Sequence, residues 1–323
     1  LIKPIFTSLL LLTLFSGSAF AQLTSEEQQA RDKGIVLYKQ SDWYDSQPLL
    51  EIAAKAGDRT AQYYLAEAIR LSKRYTTAEA KKWYEAAAEQ GDLYAMLRLG
   101  DSDDLCGVIG TCEGKSAEQW RKKALKTAYE RANNADTEAM IVLYTMGEGL
   151  RWLERSAERG NSDAQHFLAI VYKDGGGWFI IPGTRDKAVE RYARASAEAG
   201  YAPAMEFYAN FLYDNKRPKK EIAYWLKKTA ETGHLEALAA YALYIAHLPD
   251  GLDYPLNLVE AYGITYLISQ LTGGGAVPED ARRSLPKIAA KMTPDEIQQG
   301  IAFSKEWEKT HPPLSYYPPV YGY

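Results

Sequence analysis

Trp83-Tyr84-Glu85-Ala86-Ala87-Ala88-Glu89-Gln90-Gly91-Asp92-Leu93-Tyr94-Ala95-Met96-Leu97-Arg98-Leu99 is the stretch whose reading decides the fold. Ahead of Gly91, the apolar residues Ala80, Trp83, Tyr84 and Ala87 recur at the spacing of one helix face. Glycine then ends that helix, because a residue without a side chain enters the left-handed conformation that caps carbonyl ends. A second helix begins almost at once. Ala88 and Ala95 flank the turn and let the two helices approach closely. The large residues, Trp83 and Leu99, stand further away, where the axes diverge. The unit is a helical hairpin.

The same block returns six times, centred on Gly57, Gly91, Ala135, Gly160, Gly200 and Gly233. Three residues before each centre stands Ala54, Ala88, Ala132, Ala157, Ala197 or Ala230, and four after it Ala61, Ala95, Ala139, Ala164, Ala204 or Ala237. Eight after it stands Leu65, Leu99, Leu143, Leu168, Tyr208 or Tyr241. Eight before it stands Leu49, Trp83, Trp152, Tyr192 or Trp225, with Thr127 the exception. The third block, with Ala135 for glycine and no aromatic at Thr127, predicts a distorted hairpin. A lone hairpin cannot bury its apolar face, so stacked neighbours must do it. The expectation is an all-α, right-handed superhelical solenoid with a C-terminal helical cap. The centres lie 34, 44, 25, 40 and 33 residues apart, so the connectors vary while the hairpins do not.

This pattern closely resembles the Sel-one-like (Sel1-like) repeat, a relative of the tetratricopeptide repeat. The resemblance rests on Trp83 to Asp92 and on Ser156-Ala157-Glu158-Arg159-Gly160-Asn161-Ser162-Asp163-Ala164-Gln165. It also rests on the connector Tyr172, Gly175 and Asp186-Lys187-Ala188, and spans roughly residues 34–275. A degenerate seventh unit stands at Glu260 to Ile268. The resemblance implies a protein-binding superhelix without catalysis of its own.

The two ends differ from the middle. Lys3, the run Leu9 to Phe15 and Ser18-Ala19-Phe20-Ala21 read as a secretory signal peptide over residues 1–21, cleaved after Ala21. The run is too short to span a bilayer comfortably, and no comparable run follows it. Removing the signal takes Lys3 with it and moves the net charge from −4 to −5. Such mild acidity argues against nucleic acid, which wants a basic footprint. Residues 22–275 are assigned to the solenoid. Residues 276–310 are assigned to two capping helices, opened by Pro278-Glu279-Asp280 and by Thr293-Pro294-Asp295-Glu296. The last thirteen residues hold four prolines and four tyrosines and are expected to be extended and disordered. The other reading is a strap laid on the superhelix or on a partner.

Cys106 and Cys112 are the only cysteines. In an exported chain they are read as a disulfide, worth about 2 kcal/mol for so short a loop in the chain-entropy model. Metal binding would need further ligands at suitable spacing. The histidines His166, His234, His247 and His311 show no pairing at ligand spacing, and no metalloprotease, nucleophile-elbow or phosphate-loop signature is present. No cofactor, no metal and no enzyme are therefore expected. The clusters Arg121-Lys122-Lys123 and Lys216-Arg217-Pro218-Lys219-Lys220 are interleaved with acids and read as solvated faces.

The loop Gly175-Gly176-Gly177-Trp178-Phe179-Ile180-Ile181-Pro182-Gly183 stands out. Four large apolar residues, Trp178, Phe179, Ile180 and Ile181, sit where a short polar connector is usual. Buried against the solenoid, each would contribute roughly 1.5–3 kcal/mol. Exposed, they would anchor a partner. The tyrosine content, 24 residues, falls largely at core repeat positions, and the remainder could line a concave face. The functional expectation is a periplasmic protein-binding repeat protein. A compact exported chain of this class is similar to the immunity proteins made beside type VI secretion lipase effectors of the phospholipase D kind. That resemblance implies a secreted phospholipase toxin as partner, occluded by the concave face or the apolar loop. The alternative is a cell-envelope assembly scaffold, such as an exopolysaccharide-export adaptor.

Overall fold

The structure is a computed structural model that describes residues 23–101, 114–249 and 251–321. The signal segment and the Cys106–Cys112 pair lie outside the described residues. Those residues form sixteen helices and no strand. Helix α1 (Ser25–Lys39) packs on α2 (Trp43–Lys55), which opens the first repeat hairpin with α3 (Arg59–Lys73). The next hairpins are α4 (Ala78–Glu89) with α5 (Leu93–Asp101), and α6 (Ala117–Asn133) with α7 (Thr137–Thr145). Then come α8 (Leu150–Glu158) with α9 (Ser162–Lys173), α10 (Thr184–Glu198) with α11 (Ala202–Asp214), and α12 (Lys219–Glu231) with α13 (Leu235–Ile245). Helices α14 (Leu258–Ser269), α15 (Ala276–Ala289) and α16 (Pro294–Thr310) complete the stack. Apart from α16, which packs on α14, each helix packs mainly on its neighbours in sequence, so the core is a strip running through the hairpins.

All six turns fall where the sequence puts them. Every centre is left-handed, with φ between 67° and 92°. Its N–H donates to the carbonyl of the alanine three residues earlier, at 2.9–3.1 Å. The residue after the centre caps the second helix in four hairpins. Asp58, Asp92, Asp136 and Asn161 accept from the N–H of Ala61, Ala95, Ala139 and Ala164 at 2.6–3.1 Å. All twelve alanines flanking the centres are at most 2% exposed, which is how the helix pairs cross so closely.

The third hairpin is not distorted at its turn. Ala135 takes φ 67° and makes the same bond to Ala132 as its glycine counterparts make. The buried alanines Ala132 and Ala139 and the Asp136 cap hold the geometry although Ala135 prefers another. Trp120, seven residues before Thr127 on α6, is the buried aromatic of this helix.

Helix α1 extends the stack ahead of the region expected to be repetitive. It is started by a capping box between Thr24 and Glu27. At the other end, Thr293 and Glu296 form the capping box that opens α16. Helix α16 crosses α14 closely, since a Cβ on Gly263 would lie 2.5 Å from the Gly300 carbonyl oxygen.

The two ends of the stack meet. The Gly274 N–H donates to the Ser41 carbonyl at 3.2 Å, and the Thr272 hydroxyl to the Asp42 carboxylate at 3.0 Å. A Cβ on Gly273 would lie 2.2 Å from the Gln40 carbonyl oxygen, so only glycine fits this junction. A chain of neighbour-packed hairpins whose ends touch is a closed ring.

The expected disordered tail is corrected here. From His311 to Tyr321 the chain is extended, but it is packed inside the ring. Leu314 and Ser315 are buried. Tyr316 N–H donates to the Lys39 carbonyl at 2.9 Å, and the Tyr63 hydroxyl donates to the Val320 carbonyl at 2.5 Å. Tyr321 stacks on Tyr94 with ring centroids 6.3 Å apart. One short segment reaches this many hairpins only from the inside of their curve. Prolines prevent it from becoming helix or strand, and its tyrosines find partners that sequence patterning does not reveal.

Backbone strain at the third turn is testable. Ala135→Gly relieves a left-handed alanine and should raise stability by about 1 kcal/mol. Gly200→Val should lower it by about 1 kcal/mol or more, through the backbone alone, since nothing stands within 4 Å of an added Cβ. Urea titrations of both variants read the two signs, and equal midpoints for all three proteins would contradict the assignment.

Candidate functional site

The loop between α9 and α10 divides the four apolar residues that the sequence groups together. Phe179 turns inward, its ring edge-on to Tyr172 at 4.9 Å and covered by the Arg185 guanidinium at 4.7 Å. Trp178, Ile180 and Ile181 face solvent at 88%, 79% and 68% exposure. Scattered exposed apolar residues are common, but three of this size on one loop form a patch.

The patch is held in place. Arg185 donates to the carbonyls of Tyr172 at 2.9 Å and Gly176 at 2.5 Å, tying the foot of the loop to the end of α9. The Thr184 hydroxyl closes the other side on the Ile181 carbonyl at 2.6 Å. A pinned loop loses little entropy when a partner covers it. The inward residue and the outward ones should therefore separate in a thermal melt. Phe179→Ala should cost about 1–2 kcal/mol, short of a full core deletion. Trp178→Ala and Ile180→Ala should each stay within about 0.5 kcal/mol of wild type. Equal losses at all three positions would show that the loop packs as one cluster.

The second candidate surface is the inside of the ring. The second helices of successive hairpins line it, and the C-terminal strap crosses it. Its electrostatic centre is Glu67 on α3, 1% exposed. This carboxylate accepts from the Tyr84 hydroxyl at 2.6 Å, from Arg98 at 2.6 and 3.3 Å, and from Arg70 at 2.7 Å. Such a group is tolerated inside only because each oxygen has charged or hydroxyl donors. Arg98 also lies 4.3 Å over the Tyr321 ring, which ties the network to the strap. The Tyr321 hydroxyl reaches Asp101.

Further round the ring, His166 is packed edge-on between Tyr201 and Phe207, each 5.5 Å away. Its Nδ1 is buried without a hydrogen bond. Burial holds this imidazole neutral and lowers its pKa to about 4. Nearby Asp163 accepts from the Tyr201 hydroxyl at 3.0 Å, and burial raises its pKa. For His166 the sign is definite. Between pH 6.5 and 4 the unfolded chain takes up a proton that the folded chain refuses, so stability falls as pH falls through that window. His166→Phe removes this contribution and leaves Asp163 in place. The variant should gain stability relative to wild type as pH drops from 7 to 4.5, read from melts at several pH values. A constant difference across that range would exclude the linkage.

The basic clusters are largely paired on the surface. Lys123 meets Glu89 at 2.7 Å, Arg121 meets Asp101 at 3.4 Å and Arg217 meets Glu190 at 2.9 Å. Among the described residues no group of three or more His, Cys, Asp or Glu is placed to hold a metal ion. No described helix is long and apolar enough to cross a membrane.

Two positions depart from the repeat, and His234, which the sequence places after a turn glycine as a solvent-facing residue, is buried. In the fifth and sixth hairpins the capping Asp or Asn is replaced by Tyr201 and His234, neither of which caps its helix. Tyr201 turns toward Asp163, and His234 stacks on Tyr317 of the strap with centroids 5.5 Å apart. Their departure from the repeat was the available signal.

No family model matches the chain. Over 202 residues it is 28% identical to the Sel1-repeat-containing protein YjcO of Escherichia coli K12, covering 56% of this chain and 82% of that protein. Among solved structures it is similar to c5321, a protective antigen of uropathogenic Escherichia coli with an SLR fold. That similarity has a TM-score of 0.48 and 20% identity, and covers 90% of this chain and 62% of that one. It is also similar to the immunity protein PA5088 of Pseudomonas aeruginosa, with a TM-score of 0.36 and 14% identity, over 89% of this chain and 84% of that one. In their motif, in their left-handed alanine-flanked turns and in their similarity to YjcO, the hairpins of this chain resemble Sel1-like repeats.

Proposed function

We propose that the chain is an exported protein-binding repeat protein, and that it acts as an immunity protein against a secreted phospholipase D-type toxin. The observation that carries this reading is the pinned loop with Trp178, Ile180 and Ile181 exposed at its tip. An enzyme that works at a lipid surface presents an apolar rim around its active-site mouth. A rigid projection of one indole and two isoleucine side chains is a fit for such a rim and seals it against lipid. The strap already fills part of the ring's inside, which favours the loop over the concave face as the primary contact. Signal-directed export would put the inhibitor in the periplasm, where such a toxin attacks phospholipid.

Survival of cells making a periplasm-directed phospholipase effector tests the reading. Co-expressed wild-type chain should protect, and the Trp178→Ala, Ile180→Ala, Ile181→Ala triple variant should not, with its melting temperature kept. Calorimetry on the purified pair should show affinity reduced by about 2 kcal/mol or more, roughly thirtyfold. Full protection by the triple variant would remove the loop from the interface. Recovery of the chain in a multi-component envelope complex, without protection against any such effector, would favour the scaffold role.

A further inference from the structure

The inner face of the ring is a second candidate surface, separate from the loop. We infer that it is a groove for an extended peptide bearing prolines and tyrosines, that the chain's own C-terminal strap is its resident ligand, and that a partner segment of the same chemistry displaces it.

The strap sits as a ligand sits. Its backbone pairs with the α12–α13 turn, where Ser315 N–H donates to the Gly233 carbonyl at 2.9 Å and the Ser315 carbonyl accepts from Leu235 at 3.0 Å. Leu235 is the first residue of a helix whose N-cap, His234, offers no capping bond, so the strap serves one of the orphan donors of α13. A Cβ on Gly233 would lie 2.9 Å from the carbonyl oxygens of Pro312 and Pro313, so the turn is shaped to admit the strap. Tyr317 donates to the Thr232 carbonyl at 2.7 Å, and Gln40 donates to the Leu314 carbonyl at 3.1 Å. Backbone pairing supplies affinity and side-chain seats supply selectivity, as in other recognition of extended peptides.

The occupancy is partial. Leu314 is the only apolar side chain of the strap that is buried, whereas Pro312, Pro313, Pro319 and Val320 are exposed. Beside the strap a cavity of about 320 Å³ stays open, floored by Tyr94, Ile141, Phe167, Ile170 and Tyr201. Of that floor, Tyr94 and Ile141 belong to the buried strip core of the hairpins. The strap is tethered to the ring through α16, which it follows directly. Tethering gives it an effective concentration on the order of millimolar, which a free peptide must overcome.

The test uses the full chain with a protease site inserted between Thr310 and His311, cut after folding. A labelled peptide of residues 311–321 should exchange saturably into the cut ring, read by fluorescence anisotropy, and a scrambled peptide should not. The uncut chain should take up the same peptide at least about tenfold more weakly, because its own strap competes. Uncut Tyr317→Phe, whose strap loses its bond to the Thr232 carbonyl while the wild-type peptide keeps it, should bind the peptide more tightly than uncut wild type. Three results would overturn the inference: no exchange in the cut ring, loss of helical signal when the strap leaves, or exchange only as strap-swapped dimers of the uncut chain. None of these arms involves Trp178, so failure here leaves the loop reading intact, and failure of the loop variants leaves this one intact.

Discussion

Two helices can cross within a turn of each other only if the residues at the crossing are small and the chain reverses without a side chain in the way. Here alanines on both sides of a left-handed residue meet that condition six times. Everything larger depends on it. Because the hairpins close tightly at one end, their tryptophans, leucines and tyrosines splay at the other. Those residues can be buried only against the next hairpin. A strip core follows, and with it a curve that has an inside and an outside. The ring closes where Gly273 meets the backbone of Gln40, another contact that a single methyl group would prevent.

The turns and helix pairs were legible in the sequence because they are local. Spacing over some seventeen residues specifies each hairpin, and the left-handed turn, the alanine pair and the cap agree with one another. Ala135 shows the limit of the local rule. Its own preference points to a distorted turn, yet two buried alanines and the Asp136 cap impose the common geometry. The candidate loop was legible only as a composition. Four apolar residues in a row announce a patch, but which of them turns inward depends on Tyr172 and Arg185, and that is geometry.

The strap was the least legible part, and for a physical reason. Prolines correctly signal an extended chain, but an extended chain has no internal hydrogen bonds and its state is decided by its neighbours. Those neighbours are far away in sequence: Gln40 meets Leu314, Tyr63 meets Val320 and Asp101 meets Tyr321. Only one trace of the strap stands in the repeats themselves. His234 occupies a position where earlier hairpins place a capping acid or asparagine, and the strap supplies a backbone carbonyl to the helix instead. A helix start without its cap is a place to look for a missing partner.

The two candidate surfaces answer different physical demands, which is why they can coexist. The outer loop presents apolar side chains on a braced frame, suited to a contact whose strength comes from desolvating a few large groups. The inner face presents tyrosine rings, hydroxyls and the backbone of the α12–α13 turn, suited to a narrow chain whose own amide groups must be satisfied. Glu67 links the inner face to the core. Its carboxylate holds Arg98 4.3 Å from the centre of the Tyr321 ring, so the seat for the end of the strap is built from an ion pair that also joins α3 to α5. Such a seat is held from several sides, because Arg70 and Tyr84 grip the same carboxylate. A ring with a partly filled inside and an apolar projection on its edge is equipped to hold two different kinds of chain at once.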